Sequence, residues 1–516
     1  MYRDGARKSI WQEEIRKFST ETDLSSLFDV AIVGGGITGV STALKLQESG
    51  KKCVILEAAN IGFGTTGGTT AHLNDFFDTT FNQAIRDFGL DNAQLYAESG
   101  TDAIGIIEGN IQKYQISCDF TRKSAYLFAL DEKQEEQLKD IVEGAAKVGH
   151  EMSYVNEIPF PIPFREAVLI PGQGHFHPVK YSKGLCEAFI KLGGSIVENC
   201  HCEEHDEQND FVVLKTSKGE IKAANVVYAT HIPPGVNLLH FTNAPYRSYA
   251  MAFTMKNDKY PWELGYDLCE PYHYYRIQNI EGENLLIAGG EDHKTGHADD
   301  TGECFSRLEN YVRKYFEVET VYYSWSSQYY EPVDGFPYIG KLPGSKERIF
   351  VATGFRGNGM IFGTLSSQIL HDLILTGKSK YGDLFNPSRI KPVAGFSDFV
   401  KETVTVAFDF VKDKILTEKI ESFSEVGEGE AKVIRYESES YALYKENDGT
   451  LHLLRSTCPH AGCEVRWNSA ELSWDCPCHG SRFNVNGKIL TGPTTKNLQK
   501  VFPYQKRDSW TPNFKP

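Results

Sequence analysis

The apolar positions of this chain change their period several times, and each change marks an element. A short apolar run over residues 28–33 leads into Gly34, Gly35 and Gly36 and then into helical spacing through Leu46. Strand, tight turn and helix are expected in that order. A second apolar run, residues 52–56, reads as the next strand and ends at Glu57. Residues 181–192 form an amphipathic helical stretch, followed by hairpin strands at 196–199 and 211–216 around an acidic, solvated turn at 203–210, and 224–230 reads as a further strand. Between residues 250 and 292 aromatic and polar positions alternate, as expected of an antiparallel sheet covered on one face. Phe399, Val400, Val404, Ala407, Phe408, Val411 and Ile415 recur at helical spacing among charges, which predicts an amphipathic helix of roughly five turns. From residue 432 onward, short alternating runs at 441–444 and 451–454, separated by Asn447, Asp448 and Gly449, indicate an all-β module.

Length and composition divide the chain further. At 516 residues and 41% hydrophobic content it can bury two or three cores. The patterning divides it into an extension (1–27), an α/β module (28–384), a linker with the amphipathic helix (385–420) and the all-β module (421–516). With 54 Lys and Arg against 69 Asp and Glu, the net charge of −15 argues against a nucleic-acid partner. Residues 1–27 lack the apolar core of a secretory signal, and no uncharged apolar run reaches spanning length, so no transmembrane segment and a cytoplasmic location are expected. Asp398, Glu402, Asp409 and Asp413 balance the lysines of the linker helix, which is expected to dock one module on the other; peripheral membrane contact is the alternative. Cys53, Cys118, Cys186, Cys200, Cys202, Cys269 and Cys304 show no framework spacing, as in a reducing compartment.

The chemistry at the N-terminal end begins at Gly34, Gly36 and Gly39. Glycine lets a backbone approach a pyrophosphate at a helix N-terminus, with Ile37 and Thr38 in the first turn and Glu57 placed for a ribose hydroxyl. A hydroxyl-rich loop follows, containing Thr65, Thr66, Gly68, Thr69 and His72. Two later segments, residues 334–340 and 351–360, add Gly354, Arg356, Gly357, Asn358, Gly359 and Met360. Together these resemble the glycine/D-amino-acid oxidase family over about residues 28–375. The resemblance implies FAD, an α/β FAD-binding domain of Rossmann-like, glutathione-reductase type, and an antiparallel β substrate subdomain at about 240–330. Residues 68–72 are similar to a run in dimethylglycine and sarcosine dehydrogenases whose His is bonded to the flavin, so the resemblance implies either a covalent link through His72 or a His72 ring stacked beside the flavin. Tyr272, Tyr274, Tyr275 and Arg276 are the substrate-pocket candidates: phenols can box an amine and a guanidinium can bind a carboxylate.

The C-terminal module carries Cys458, His460, Cys476 and His479 in two Cys/His loops. Two thiolates suit one iron of a [2Fe-2S] cluster and two imidazoles the other; a tetrahedral zinc centre is the alternative. The pattern resembles the Rieske signature, and the remaining pair, Cys463 and Cys478, then implies a disulfide between the ligand loops. Ser481 stands where high-potential Rieske proteins hold a cluster-bonding Ser, but Phe483 replaces their Tyr, so a midpoint below the top of the Rieske range is expected.

The resemblances imply FAD-dependent oxidation of a small amine or amino acid, with electrons passing through a Rieske [2Fe-2S] cluster to an external acceptor. Two alternatives stand beside it: a redox carrier or sensor without amine turnover, and an NAD(P)H-dependent reductase feeding a partner oxygenase.

Overall fold

The computed structural model describes residues 5–12, 17–389, 418–419, 425–436, 439–506 and 509–513. The helix expected over 399–415 lies outside the described residues. Strand Leu27–Val33 forms the middle of a parallel sheet between Cys53–Leu56 and Gly219–Tyr228, with Ser195–Val197 and Ile349–Thr353 beyond them and antiparallel Tyr338–Lys341 at one edge. Its apolar run is continuous because both faces are covered. Val30 and Ile32 enter one core, under the helices, while Ala31 and Val33 enter another on the far side.

Helices Ile37–Glu48 and Gly359–Thr376 both leave the carboxyl edge of this sheet, following the parallel strands Leu27–Val33 and Ile349–Thr353. They cross at close contact: a Cβ on Gly363 would stand 2.7 Å from Thr38 Oγ1. Two helix N-termini are thereby brought side by side. The helix expected at 181–192 is Pro178–Lys191, whose cap His177 accepts from the Lys180 N–H at 3.2 Å. The acidic stretch expected as a turn differs. It opens with strand Cys202–Glu207, which pairs with Val212–Thr216 and has Glu203, Glu204, His205 and Asp206 exposed. Charge does not forbid a strand at a sheet edge; it protects the edge from further pairing.

The second sheet runs Val318–Pro332, Asn243–Met255, Glu283–Lys294, Tyr274–Ile280, Leu264–Asp267, Thr121–Ala129, Glu166–His175 and His72–Leu73. Helix Thr301–Tyr315 packs on its back. Asp267 helps secure that helix: its carboxylate accepts from the Tyr311 hydroxyl at 2.7 Å and from His273 Nδ1 at 2.9 Å, and the His273 ring stacks on Tyr311 at 3.7 Å. Glu291 lies 3.8 Å from His273 Nε2 and pairs with Arg307 at 2.6 Å. Burial alone would lower the His273 pKa, but the hydrogen bond to Asp267, with Cys269 and Glu291 close by, raises it from 6.5 to about 11. Because the folded pKa is the higher one, this stabilisation is complete below about pH 6.5 and is lost as pH rises towards 11. Replacing His273 with Gln removes the cation between two carboxylates, an expected loss of about 3 kcal/mol at pH 6. Urea unfolding at pH 6, 8 and 10 checks this: the wild-type advantage over the variant should shrink with pH, and a constant difference would count against it.

The C-terminal module is all-β, with sheets Glu418–Lys419, Ala431–Tyr436, Glu439–Lys445, Leu451–Arg455 and Arg466–Asn468, Ser473–Asp475, Arg482–Asn484, Ile489–Thr491. A two-stranded piece, Phe502–Lys506 with Ser509–Asn513, completes it. Among the described residues no helix is long and apolar enough to cross a membrane.

Candidate active site and metal centre

The glycine turn fits a dinucleotide by what it excludes. Gly34 has φ +112° and a Cβ there would lie 2.4 Å from the Ala229 carbonyl; on Gly39 it would lie 1.9 Å from the Gly34 carbonyl. Only bare backbone allows this approach. The helix beginning at Ile37 has no side-chain cap, and the Ile37 N–H donates to Thr66 Oγ1 at 3.0 Å, so Thr66 stands at the helix mouth. Glu57 accepts from the Gly35 N–H at 2.7 Å and the Ala59 N–H at 2.8 Å, which fixes its carboxylate beside the turn.

The hydroxyl-rich loop runs along the second sheet. Thr65 begins a short helical turn, Trp325 donates to the Gly68 carbonyl at 2.8 Å, and the Thr69 hydroxyl accepts from the Ala71 N–H at 3.0 Å. His72 is flanked by Tyr266 and Tyr274, each 5.4 Å away by ring centres. Its Nδ1 is 3.1 Å from Thr70 Oγ1 and its Nε2 3.3 Å from the Tyr275 carbonyl. Burial, with Arg276 nearby, lowers its pKa to about 3, so the imidazole is neutral. The later glycine segment closes on the same space. Gly354 turns at φ +74°, the Gly357 N–H donates to Asp78 at 2.9 Å, and Arg356 donates to Thr79 at 2.8 Å and to Glu331 at 3.2 Å. Asn358 then caps the helix that starts at Gly359 and Met360.

The four pocket candidates separate. Tyr272 and Tyr274 stay together, their rings 5.8 Å apart beside the His72 loop. Tyr275 points to the opposite face of the sheet, fully buried near Phe160 and Phe316, because successive strand residues alternate sides. Arg276 is buried and occupied: it donates to the carbonyls of Thr70, Ala71 and Phe176 at 2.8, 3.0 and 3.2 Å and to Gln278. It secures the loop rather than facing a substrate carboxylate. Sequence reading missed Asp292, which accepts from the Tyr329 hydroxyl at 2.9 Å behind these tyrosines. Nothing local marks it; distant strands bring it there.

The metal loops are near copies of each other. Gly462 N–H donates to the Cys458 carbonyl and Gly480 N–H to the Cys476 carbonyl, both at 3.0 Å, and each loop is closed again at 2.8 Å, by Cys458 N–H to Cys463 and Cys476 N–H to Ser481. A disulfide joins Cys463 to Cys478, linking the loops. Hydrogen bonds from Cys476, from the His460 N–H and from Ser481 lower the Cys458 pKa, which favours a thiolate there. The rings of His460 and His479 lie 4.9 Å apart. His460 Nε2 donates to the Gly235 carbonyl at 2.9 Å while its buried Nδ1 has no partner, and neither buried nitrogen of His479 has one. Two sulfurs and unpartnered imidazole nitrogens on facing loops fit a [2Fe-2S] cluster of mixed ligation. Ser481 lies at the Cys458 sulfur and also accepts from the Thr494 N–H at 3.1 Å, whereas Phe483 is buried and offers no donor.

The two sites share one sheet. Along Val318–Pro332, Trp325, Tyr329 and Glu331 face the His72 loop and the neighbouring tyrosines, while Ser326, Gln328 and Tyr330 face the C-terminal module. Gln328 donates to the Gly480 carbonyl at 2.9 Å and the Tyr330 hydroxyl to the His479 carbonyl at 3.2 Å. The Tyr330 ring is 4.8 Å from that of His231, whose Nδ1 is 3.2 Å from Thr65 Oγ1. The His240 ring lies 4.6 Å from His460 and 5.8 Å from His479. None of His231, His240, Gln328 and Tyr330 carries a sequence signal, because each acquires its place through long-range pairing.

Known proteins are similar to both parts of the chain. The family model for FAD dependent oxidoreductases matches residues 29–373, and that for the Rieske [2Fe-2S] domain matches 418–503. YhfW of Bacillus subtilis, named as a Rieske 2Fe-2S iron-sulfur protein, is 32% identical over 494 residues, covering 94% of this chain and 97% of that one. Gamma-glutamylputrescine oxidoreductase of Escherichia coli is 26% identical over 380 residues, 69% of this chain and 85% of its own. The crystal structure of glycine oxidase from Geobacillus kaustophilus superposes with a TM-score of 0.60 at 18% identity, over 71% of this chain and 100% of that one, a likeness of fold.

Proposed function

This chain belongs to the FAD dependent oxidoreductase family and carries a Rieske [2Fe-2S] domain behind it, and on that premise we propose that it oxidises a small amine or amino acid and delivers the electrons to an acceptor outside the chain. The observation that supports this most directly is the shared sheet, with pocket residues Tyr329 and Glu331 on one face and Gln328 and Tyr330 against the metal loops on the other. When bound, FAD supplies removal of two electrons from a carbon next to nitrogen, and the cluster supplies one-electron transfer.

The residues divide the work. Tyr272 and Tyr274 flank the substrate's approach to the His72 loop, and Arg276 holds that loop by its carbonyls. The glycine turn and the mouth of the helix at Ile37 receive the cofactor's pyrophosphate, and the N-terminus of the helix at Gly359 faces the flavin pyrimidine. His72, kept neutral, is in the protonation state a covalent flavin link requires; flavin fluorescence co-migrating with the denatured chain tests that link. Cys458, Cys476, His460 and His479 hold the cluster between the disulfide-linked loops.

Low-temperature electron paramagnetic resonance on the purified holoprotein tests the whole reading. Anaerobic mixing with sarcosine, dimethylglycine, proline, D-alanine or n-butylamine is expected to produce a Rieske-type signal with at least one of them. A signal with dithionite alone would leave the metal centre standing and reject amine oxidation.

A further inference from the structure

The space beside the His72 loop holds a carboxyl group the family-level reading does not use. Asp292 lies near the end of Glu283–Lys294, three residues past Gly289, where pairing with Tyr274–Ile280 stops, and it lies behind the phenols of Tyr272, Tyr274 and Tyr329. The Tyr329 hydroxyl donates to its Oδ2 at 2.9 Å; its Oδ1 is closed off from solvent and has no hydrogen-bond partner. A carboxylate oxygen sheltered in this way is costly unless a donor arrives.

The charges around it point to the donor's sign. Asp78 and Glu331 both act on Asp292, so the local field is negative. The two guanidinium groups bordering the space already have partners on their terminal nitrogens, Arg276 in three backbone carbonyls and Arg356 in Glu331 with Asp78 nearby, and each keeps only its buried Nε without one. An incoming carboxylate therefore meets three acidic side chains and guanidinium groups whose terminal nitrogens are taken, whereas an ammonium group meets an unpartnered oxygen.

Resting on the amine-oxidation reading above, we propose that Asp292 receives the substrate's nitrogen as a cation and that the pocket selects an aliphatic amine with no carboxylate on the carbon to be oxidised. The same oxygen then takes one ammonium proton: an N–H bond breaks, an O–H bond forms on Asp292, and the amine is left neutral with its lone pair available. Burial raises the Asp292 pKa to about 7 against the opposing influence of the nearby Ser248 and Tyr329 hydroxyls, so the carboxyl group can exchange a proton near neutrality.

Binding separates this from the parent reading. The FAD-loaded protein is titrated anaerobically with n-butylamine, glycine, sarcosine and acetate, following the flavin absorbance perturbation and, in parallel, the heat of binding. In the wild type, n-butylamine is expected to bind more tightly than either amino acid, and acetate not to bind. Asp292→Asn is expected to weaken n-butylamine about tenfold or more and to admit acetate. If Asp292→Asn does not retain flavin, Asp292→Ser is read in the same way. Tighter wild-type binding of glycine or sarcosine, or an n-butylamine affinity unchanged by the loss of charge, overturns the assignment while leaving amine oxidation intact. Failure of every amine and amino acid to bind or to bleach the flavin overturns both.

Discussion

Replacing Cys476 with alanine is expected to abolish the Rieske-type paramagnetic signal and to lower bound iron to about a tenth of wild type or less, with flavin content unchanged. Cys476 is buried, its N–H closes the second ligand loop onto Ser481, and its thiol bonds to Cys458. The strands around it are only three residues each, Arg466–Asn468, Ser473–Asp475, Arg482–Asn484 and Ile489–Thr491, so bonds to the proposed cluster would supply much of what orders the loops. Removing one thiolate leaves an iron without its fourth ligand and a cavity where the sulfur packed. Cys463→Ser is the informative contrast. It opens a link closing 15 residues, worth about 3 kcal/mol, but replaces no proposed ligand. That variant is expected to keep the signal and to lose it faster on warming. Iron content, visible absorbance and the resonance spectrum measured together decide the matter. Full iron in Cys476→Ala would mean that other residues hold the centre, and zinc in the wild type would mean that the centre is not a cluster.

Where chemistry depends on residues near one another in the chain, the sequence alone makes it legible. The glycine turn after residues 28–33 and the paired Cys/His loops are local, since each motif contains its own geometry. The substrate side is less legible because a strand's alternation shows that Tyr274 and Arg276 share a face opposite Tyr275 but not which face meets the flavin loop. That choice is made by Thr121–Ala129 and Leu264–Asp267, more than a hundred residues apart in the chain and parallel neighbours in the sheet. Arg276 reads as available for a carboxylate because nothing in its neighbourhood of sequence reveals the carbonyls of Thr70, Ala71 and Phe176. Asp292 is the converse case: an acidic residue at a strand end reads as solvated until Tyr329 arrives from the edge strand. The acidic strand Cys202–Glu207 shows the same limit from the other side, because pairing with Val212–Thr216 overrides its low intrinsic strand preference.

The join between the two domains carries the second large effect. Asp475, immediately before the proposed ligand Cys476, is buried and accepts from Arg482 Nε at 2.9 Å, Ser473 Oγ at 2.8 Å and Asn468 Nδ2 at 2.8 Å. Across the boundary, Arg247 of the flavin domain approaches it to 3.9 Å and donates to Ser326 at 2.6 Å, while Ser326 donates to Glu471 at 2.5 Å. Two buried guanidinium groups thus face two carboxylates, and burial with Arg482 nearby already lowers the Arg247 pKa to about 10. Such a network contributes little net stability when intact, because desolvation offsets attraction, but removing one member strands the opposite charge. Asp475→Ala should therefore cost about 3–5 kcal/mol, far more than loss of one exposed pair. The damage falls on the docking of the ligand loops, since Asp475 adjoins Cys476 and Arg247 shares a sheet with Tyr330 and Gln328, which contact His479 and Gly480. With an unfolding slope of about 2 kcal/mol per molar urea, cluster absorbance should disappear at a concentration lower by about 2 M, ahead of flavin release. Asp475→Asn, which keeps an acceptor oxygen without the charge, should fall between the two. If Asp475→Ala shifts cluster loss and flavin release equally, the network belongs to the global fold; if it shifts neither, the docking is held by the neutral contacts of Gln328, Tyr330 and His240 instead.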